Sequence, residues 1–332
     1  MNTTASPAAT TIVARSPRLE PQTIEAVVTL PTFRRPQQLV ETLRSLTVQQ
    51  TARRFAVIVV ENDAESRAGA AAATPFFEAG HLAGMVIVEH ERGNCSAYNA
   101  GWATALAHFP AFRHLLVIDD DEIAEPGWLE GLCRTAETLG ADLVGGPQVP
   151  VFADRAAARW AGHPVFAPPY TRSGPVPALY SSGNLLVSRT VLAAMPQPFL
   201  DPQFNFLGGG DSDFLSRAAA AGFQLAWCAE ARVLETVPER RTRRDWIRAR
   251  AVRNGVISTL VQRRRLQGRP AAALQVAAKS LALLALSPFR AVMTVLVTGS
   301  AARAAYPMEV AIGRLIAHFG YWHEQYREPE KH

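Results

Sequence analysis

Leu115-Leu116-Val117-Ile118-Asp119-Asp120-Asp121-Glu122 decides the fold of this chain. Four apolar residues run directly into four acids. A short apolar run rich in Val and Ile reads as a buried strand. Charge is not carried into such a strand cheaply, so the acids lie at or beyond its end. Open α/β sheets bind their ligands outside the carboxyl ends of their strands. Adjacent carboxylates raise each other's pKa unless something neutralises them. A divalent cation shared with substrate phosphates would do so, because hard cations take carboxylate and phosphate oxygens. The same acids also suit a solvated loop or a helix start, and Glu125-Pro126 downstream fits the latter.

Outward from this stretch, apolar runs alternate with helical spacings. A strand is expected over 24–30, followed by Pro31-Thr32-Phe33-Arg34-Arg35-Pro36. Pro36 suits the first turn of a helix carrying Leu39, Leu43 and Leu46. Residues 55–60 read as a strand ending in Glu61-Asn62-Asp63, then an Ala-rich helix follows. A strand over 85–88, a turn at Arg92-Gly93-Asn94 and a helix over 95–108 lead to the acid-tipped strand. Beyond it, a helix over 128–139 precedes a strand over 142–146. This alternation predicts an α/β fold with a Rossmann-like, mostly parallel sheet flanked by helices.

Residues 147–178 break the rhythm with prolines and with Trp160, Phe166 and Tyr170, either an acceptor platform or a packed lid. Ser181-Ser182-Gly183-Asn184 precedes a strand over 185–188. Gly208-Gly209-Gly210-Asp211-Ser212-Asp213 leads into a helix reaching 221, with Asp211 at its favourable N-terminal end. Residues 224–228 and 232–236 read as a strand pair, and the pattern is helical from 242 onward.

The 332 residues are 48% hydrophobic and 19% charged, enough for a large domain with an appendage. Three parts are expected: a disordered N-terminal tail over 1–22, rich in Ala, Thr, Ser and Pro, a catalytic domain over 23–239, and a basic, amphipathic helical region over 240–332. No signal-peptide pattern opens the tail. The net charge of +5 is concentrated locally: Arg240, Arg241, Arg243, Arg244, Arg248, Arg250 and Arg253 crowd one segment. Trp246, Ile247, Val252, Ile257 and Leu260 take its apolar positions, and further helices are expected over 271–298 and 306–326, the latter with Trp322. This region either lies on an anionic membrane or packs on the main domain or a second copy. Residues 281–298 are the best candidate for a membrane span but are interrupted by Pro288 and Arg290, so no span is expected.

Several classes are excluded. Lys279 and Lys331 are the only lysines and neither follows a Gly-rich loop, so a P-loop enzyme is out. No Gly-x-Gly-x-x-Gly supports a dinucleotide dehydrogenase. The Pro31 to Pro36 stretch lacks the Gly-rich, Lys-bearing loop of a nucleotidyltransferase. Eight histidines offer no zinc spacing, and Cys95, Cys133 and Cys228 are scattered, which suits a reduced compartment. No nucleic-acid recognition module accompanies the arginines.

Three acidic sites remain, Glu61/Asp63, Asp119/Asp121 and Asp211/Asp213, in fixed order after the Pro-Thr-Phe-Arg-Arg-Pro start. With these the sequence resembles glycosyltransferase family 2, inverting enzymes of the GT-A fold, in the bacterial branch that builds exopolysaccharide and cell-envelope glycans. The resemblance runs from about residue 24 to 255. It implies that Pro31, Thr32 and Arg35 line the nucleotide, and that Glu61 and Asp63 contact base and ribose. Gly93, Asn94 and Asn99 would lie near the sugar diphosphate. Asp119 and Asp121 match the Asp-x-Asp motif that holds Mg²⁺ or Mn²⁺, with Asp120 beside the nucleotide sugar. Gly183, Asn184, Gly209, Gly210 and Asp213 fall on the sugar and acceptor side, Asp213 in a more structural role. Asp211 takes the place of the catalytic base. Tyr98 stands where the family has Arg, and Gly210 where it has Glu. The implied donor is a nucleotide-diphosphate sugar, a UDP-sugar. The implied acceptor is a glycan or polyprenyl-diphosphate-linked glycan on the inner, cytoplasmic face of an anionic membrane. A catalytically weak sugar-nucleotide binder or scaffold is the alternative.

Overall fold

The centre of the molecule is built from strands that are apolar on both sides. In the structure, a computed structural model describing residues 10–320 and residue 327, every residue of four consecutive buried runs finds a covered face. The chain order begins β1 (Thr11–Arg15), β2 (Ala26–Thr32), α1 (Pro36–Thr47), β3 (Phe55–Glu61), α2 (Ala68–Glu78), β4 (Gly84–Val88), α3 (Asn94–His108) and β5 (His114–Ile118). It continues with β6 (Glu122–Ala124), α4 (Trp128–Leu139), β7 (Leu143–Gly145), β8 (Gln148–Phe152), β9 (Gly174–Pro175), β10 (Asn184–Ser188) and α5 (Arg189–Ala194). The last elements are α6 (Gly210–Ala220), β11 (Leu225–Trp227), β12 (Val233–Val237), α7 (Arg244–Arg265), α8 (Ala272–Thr298) and α9 (Ala301–Ile316).

The main sheet has the order β1-β4-β3-β2-β5-β10-β7-β11-β9. Six of these nine strands, β2, β3, β4, β5, β7 and β11, run in one direction. Side chains alternate across it. Leu115 and Val117 of β5 join Trp102 of α3 in one core, while Leu116 and Ile118 join Leu39, Leu43 and Trp128 on the other face. Full burial of each such side chain contributes about 1.5–3 kcal/mol, so the run cannot slip to bring an acid inward. The acids begin at the residue where β5 ends. β5 lies beside β2, whereas the chain leaves β2 toward β3 on the opposite side. That reversal opens a crevice at the carboxyl ends of β2 and β5.

Three expectations are corrected and one pair of alternatives is narrowed. Residues 11–15 are not a disordered tail: Thr11 to Arg15 pair antiparallel with β4, and Ser16 exchanges hydrogen bonds with Gly84. The β-branched Thr11-Ile12-Val13 covers a sheet edge, a local signal that the composition of the segment hides. Residues 1–9 lie outside the described residues. Second, β11 and β12 do not pair with each other; β11 joins β7, whereas β12 joins β6 and β8 in a small second sheet. The Asn184 amide donates to the carbonyls of Pro147 and Ala231 and holds this divergence in place. Third, residues 147–178 contain β8, a 3-10 turn at Arg155–Trp160 and β9. Trp160 and Phe166 pack with Val237 and Ile247, as a packed lid does.

Fourth, Pro288 and Arg290 do not interrupt the apolar helix. α8 is continuous for 27 residues and is the one helix among the described residues long and apolar enough to cross a membrane. A proline removes a single backbone donor, and α8 is held along its length by α9 and, near its start, by α7. The last expected helix begins earlier and ends at Ile316; Trp322 and Tyr326 lie outside the described residues. α7 and α9 meet at two glycines. A Cβ at Gly313 would stand 1.9 Å from the Val252 carbonyl, and one at Gly255 would stand 2.1 Å from that of Val310.

Candidate active site

A cavity of about 1120 Å³ opens at the crevice between β2 and β5. Its floor is the acid tip, and the three aspartates there have different environments. Asp120 is buried and faces back into the protein. It accepts from the Thr32 hydroxyl at 2.9 Å, the Phe33 amide at 3.3 Å and Arg35 Nη1 at 3.0 Å. Arg35 Nη1 also donates to Asp121 Oδ2 at 2.9 Å, and Arg241 approaches the same oxygen at 3.7 Å. Asp119 accepts from the Tyr98 hydroxyl at 2.5 Å. Its backbone amide donates to Glu122, which in turn accepts from Gln148.

Crowding of acids away from water raises their pKa values. Burial and the Asp121 charge push Asp119 up to about 7, against the Tyr98 hydrogen bond. Burial pushes Asp120 up to about 6, against the Arg35 charge. Glu122 is held well above the usual carboxylate range by burial and by Asp119. Burial and Asp121 raise Glu235, which Arg241 holds at 3.1 Å. Gly183 passes directly over this cluster. A Cβ there would stand 2.5 Å from Gln148 Nε2 and 2.9 Å from Asp119 Oδ2.

The cluster suits a divalent cation. Among the described residues no group of three or more His, Cys, Asp or Glu is placed to hold a metal. A cation that keeps waters and takes substrate phosphates needs only one or two carboxylates. Asp119 and Asp121 both line the cavity, and their mutual repulsion is what such a charge relieves.

Residues named from the sequence fall into two groups. Pro31, Thr32, Arg35, Gly93, Asn94, Asp119, Asp120, Asp121, Gly183, Asn184, Gly209 and Asp211 line the cavity. Asn184 is nonetheless a brace, because its amide is fully engaged with Trp128, Pro147 and Ala231. Glu61, Asp63, Asn99, Gly210 and Asp213 are not among the lining residues, and the side chains among them are engaged with the protein itself, for Asp213 in the structural role expected of it. Glu61 is completely buried and accepts from the amides of Asp63 and Ala70, seating the turn after β3. Asp63 holds Arg34 at 2.5 Å. Asn62, between them, lines the cavity instead and accepts from the Gly93 amide at 2.7 Å. β3 ends at Glu61, and the turn that follows puts Asn62 on the cavity side, which the sequence motif alone does not reveal. Asn99 exchanges hydrogen bonds with the Leu200 backbone, 2.7 and 2.8 Å. Asp213 is ion-paired to Arg217 at 2.8 Å and approached by Arg264 at 3.6 Å.

Asp211 lines the same cavity as the acid tip. Gly209, at φ 94°, makes the turn that starts α6, and Asp211 follows in its first turn, accepting from the Ser212 amide at 2.7 Å. Burial raises its pKa, and the Arg253 and Arg250 charges oppose that rise. Gly210 has no room for a larger residue: its Cβ would stand 2.4 Å from Cys95 Sγ. Burial pushes the Cys95 thiol up, so it stays neutral and packs as an apolar group.

The wall beyond Asp211 was not anticipated. Trp246, Arg250, Asn254, Ile257, Val261 and Arg265 of α7 all line the cavity, and Lys279 of α8 continues it. Spacings of three and four put them on one helix face. Helical periodicity among the arginines was the available signal; their partners are set by packing.

Comparisons with known proteins agree with this geometry. Residues 27–192 match glycosyl transferase family 2. The succinoglycan biosynthesis protein ExoM of Rhizobium meliloti is 32% identical over 249 residues, spanning 70% of this chain and 74% of ExoM. Among solved structures, the mannosyltransferase PcManGT from Pyrobaculum calidifontis, in complex with GDP-Man and Mn²⁺, shares the fold at a TM-score of 0.54 and 18% identity, over 91% of this chain and 89% of that one. With an acid-tipped strand and an aspartate at a helix start lining one cavity on this sheet, the family match and these relatives show that the chain belongs to glycosyltransferase family 2 and is a glycosyltransferase of the GT-A fold.

Proposed function

We propose that the protein moves a sugar from a nucleotide-diphosphate donor, a UDP-sugar, to a hydroxyl of a glycan or lipid-linked acceptor, with inversion, at the cytoplasmic face of a membrane. One observation carries the reading: Asp211 and the acid tip line a single cavity. The relationship to a succinoglycan biosynthesis protein supports polysaccharide assembly as the setting.

The residues divide the work. Arg35 bridges Asp120 and Asp121 and keeps the tip from splaying under its own repulsion. Tyr98 orients Asp119. Bound Mg²⁺ or Mn²⁺ on Asp119 and Asp121 would supply stabilisation of negative charge on the departing diphosphate. Asp211 takes the proton of the acceptor hydroxyl on a carboxylate oxygen as that hydroxyl attacks. Its raised pKa makes it a better base than an exposed carboxylate, and the Arg253 and Arg250 charges oppose that rise and favour its ionised form. Attack from the face opposite the leaving group inverts the anomeric centre in one displacement.

The test is a panel of nucleotide sugars with Mn²⁺ or Mg²⁺, scored for metal-dependent binding, slow donor hydrolysis and transfer to a lipid-linked acceptor extract. Binding and transfer of one donor are expected; absence of binding across the panel refutes the reading. A second reading, a catalytically weak donor-binding scaffold, draws on Gly210, where Cys95 fills the space for the family's Glu. Donor binding with no transfer to any extract selects it.

A further inference from the structure

We propose that α8 lies in the headgroup boundary of an anionic bilayer, parallel to its plane, and so sets the cavity mouth at headgroup depth. The inference deepens the reading of a membrane-borne acceptor and rests on it for the use of the cavity, but not for the docking itself.

The most apolar stretch of α8 has a mean hydropathy of 1.9, with 6% of it buried. A core helix of that character would be covered, and a leader sequence would stand near the N-terminus; α8 is neither. A narrow stripe of Val276, Ser280 and Ser287 is buried. Ser280 meets His318 at 3.2 Å and Ser287 meets Met308 of α9 at 3.2 Å. The far side is bare: Leu274 is 70% exposed, Phe289 67% and Leu296 73%, with Leu281 and Val292 beside them. At 100° per residue these five share one face. Lys279 and Arg290 are the only charges on α8. Eleven residues apart, they fall three turns from one another along a single edge. With this face in the acyl boundary, Lys279 and Arg290 along its edge can reach to lipid headgroups.

The ends of α8 decide between lying and spanning. Lys279 near its start lines the cavity. Just after its end, α9 returns to the body: Arg303 abuts Gly162, and Tyr306 packs on the His163 ring with centroids 5.7 Å apart. A helix with both ends against one face of the domain cannot put them on opposite sides of a hydrocarbon layer about 30 Å thick. Exposed Arg265 and Arg269 at the α7–α8 junction extend the cationic edge, and Arg265 and Lys279 also line the cavity. An anionic lipid-linked acceptor held at that edge therefore stands at the cavity mouth.

The test uses the full chain and vesicles of phosphatidylcholine with and without phosphatidylglycerol. Co-sedimentation with the anionic vesicles is expected, weakened by salt. Phe289→Asp with Leu296→Asp should reduce it by about tenfold or more while UDP binding is unchanged. Phe289→Trp emission should shift to the blue on binding, and nitroxides near the headgroup should quench it more than nitroxides at the chain terminus. Stronger quenching from the chain terminus, or vesicle binding that survives the double substitution, overturns the proposal. So does a failure to bind vesicles, and a dimer that the same substitutions dissociate would then assign the face to a second copy. Vesicle binding without binding of any nucleotide sugar leaves this inference standing and removes the transferase reading instead.

Discussion

The two walls of the cavity are built by different means. The acid-tip wall is assembled from the ends of neighbouring parallel strands, so its partners are fixed by sheet register: Thr32 of β2 reaches Asp120 at the end of β5 because β2 and β5 pair directly. The Asp211 wall is assembled from a helix start and from α7, brought together by packing between helices. The first wall is dense with mutually repelling carboxylates held by Arg35. The second is cationic around one half-buried carboxylate. Opposite charge patterns around one space suit the two proposed tasks, holding a polyphosphate through a cation and supporting a carboxylate base.

If that division is right, substitutions on the two walls separate binding from chemistry. Asp211→Asn should lower kcat by about 10²–10⁴-fold and leave donor affinity unchanged; a matching loss of donor affinity, measured by calorimetry, would break the division. Asp119→Ala with Asp121→Ala should act the other way, removing metal-dependent UDP binding and lowering kcat/KM by about 10²–10³-fold. Gly210→Glu, which installs the family's residue, should destabilise the protein by about 1–3 kcal/mol, because the new side chain meets Cys95. Adding Cys95→Ala should recover part of the lost Tm, and no recovery would show that the strain lies elsewhere.

The pH profile sharpens the comparison further. The base acts as a carboxylate, so activity falls as pH drops through the Asp211 pKa, which burial raises. Arg250→Gln removes a charge that lowers that pKa, so the acid limb should move to higher pH. An unmoved limb would dissociate α7 from the base. Tyr98→Phe is the smallest perturbation, weakening Mn²⁺ affinity by about tenfold with folding intact, read by metal titration.

How much of this was legible depends on the range of the signal. The break from apolar residues to acids at 118–119 is local, and so are the helix start at Pro36 and the expected helix over 128–139, which the structure shows unchanged. The roles of Glu61, Asn62 and Asp63 were not separable, since which of three adjacent polar residues faces a ligand depends on the strand end and on the Gly93 turn it meets. The same holds for Gly210. Read along the chain it is a missing Glu; in space it is where Cys95 of α3 needs room. The basic cluster over 240–265 was visible as charge but not as a cavity wall, because nothing in its spacing says what lies opposite.

Hydrophobic periodicity and residue chemistry were enough to establish an α/β sheet, an acid-tipped strand, and an aspartate at a helix start, because each depends on neighbours in sequence. Which acids face the cavity and which brace it, the return of α7 as a wall, and the bare face of α8 all depend on contacts between segments far apart in the chain. Burial and pairing at those contacts decide whether a carboxylate is a ligand, a base or a strut, and no local pattern encodes them.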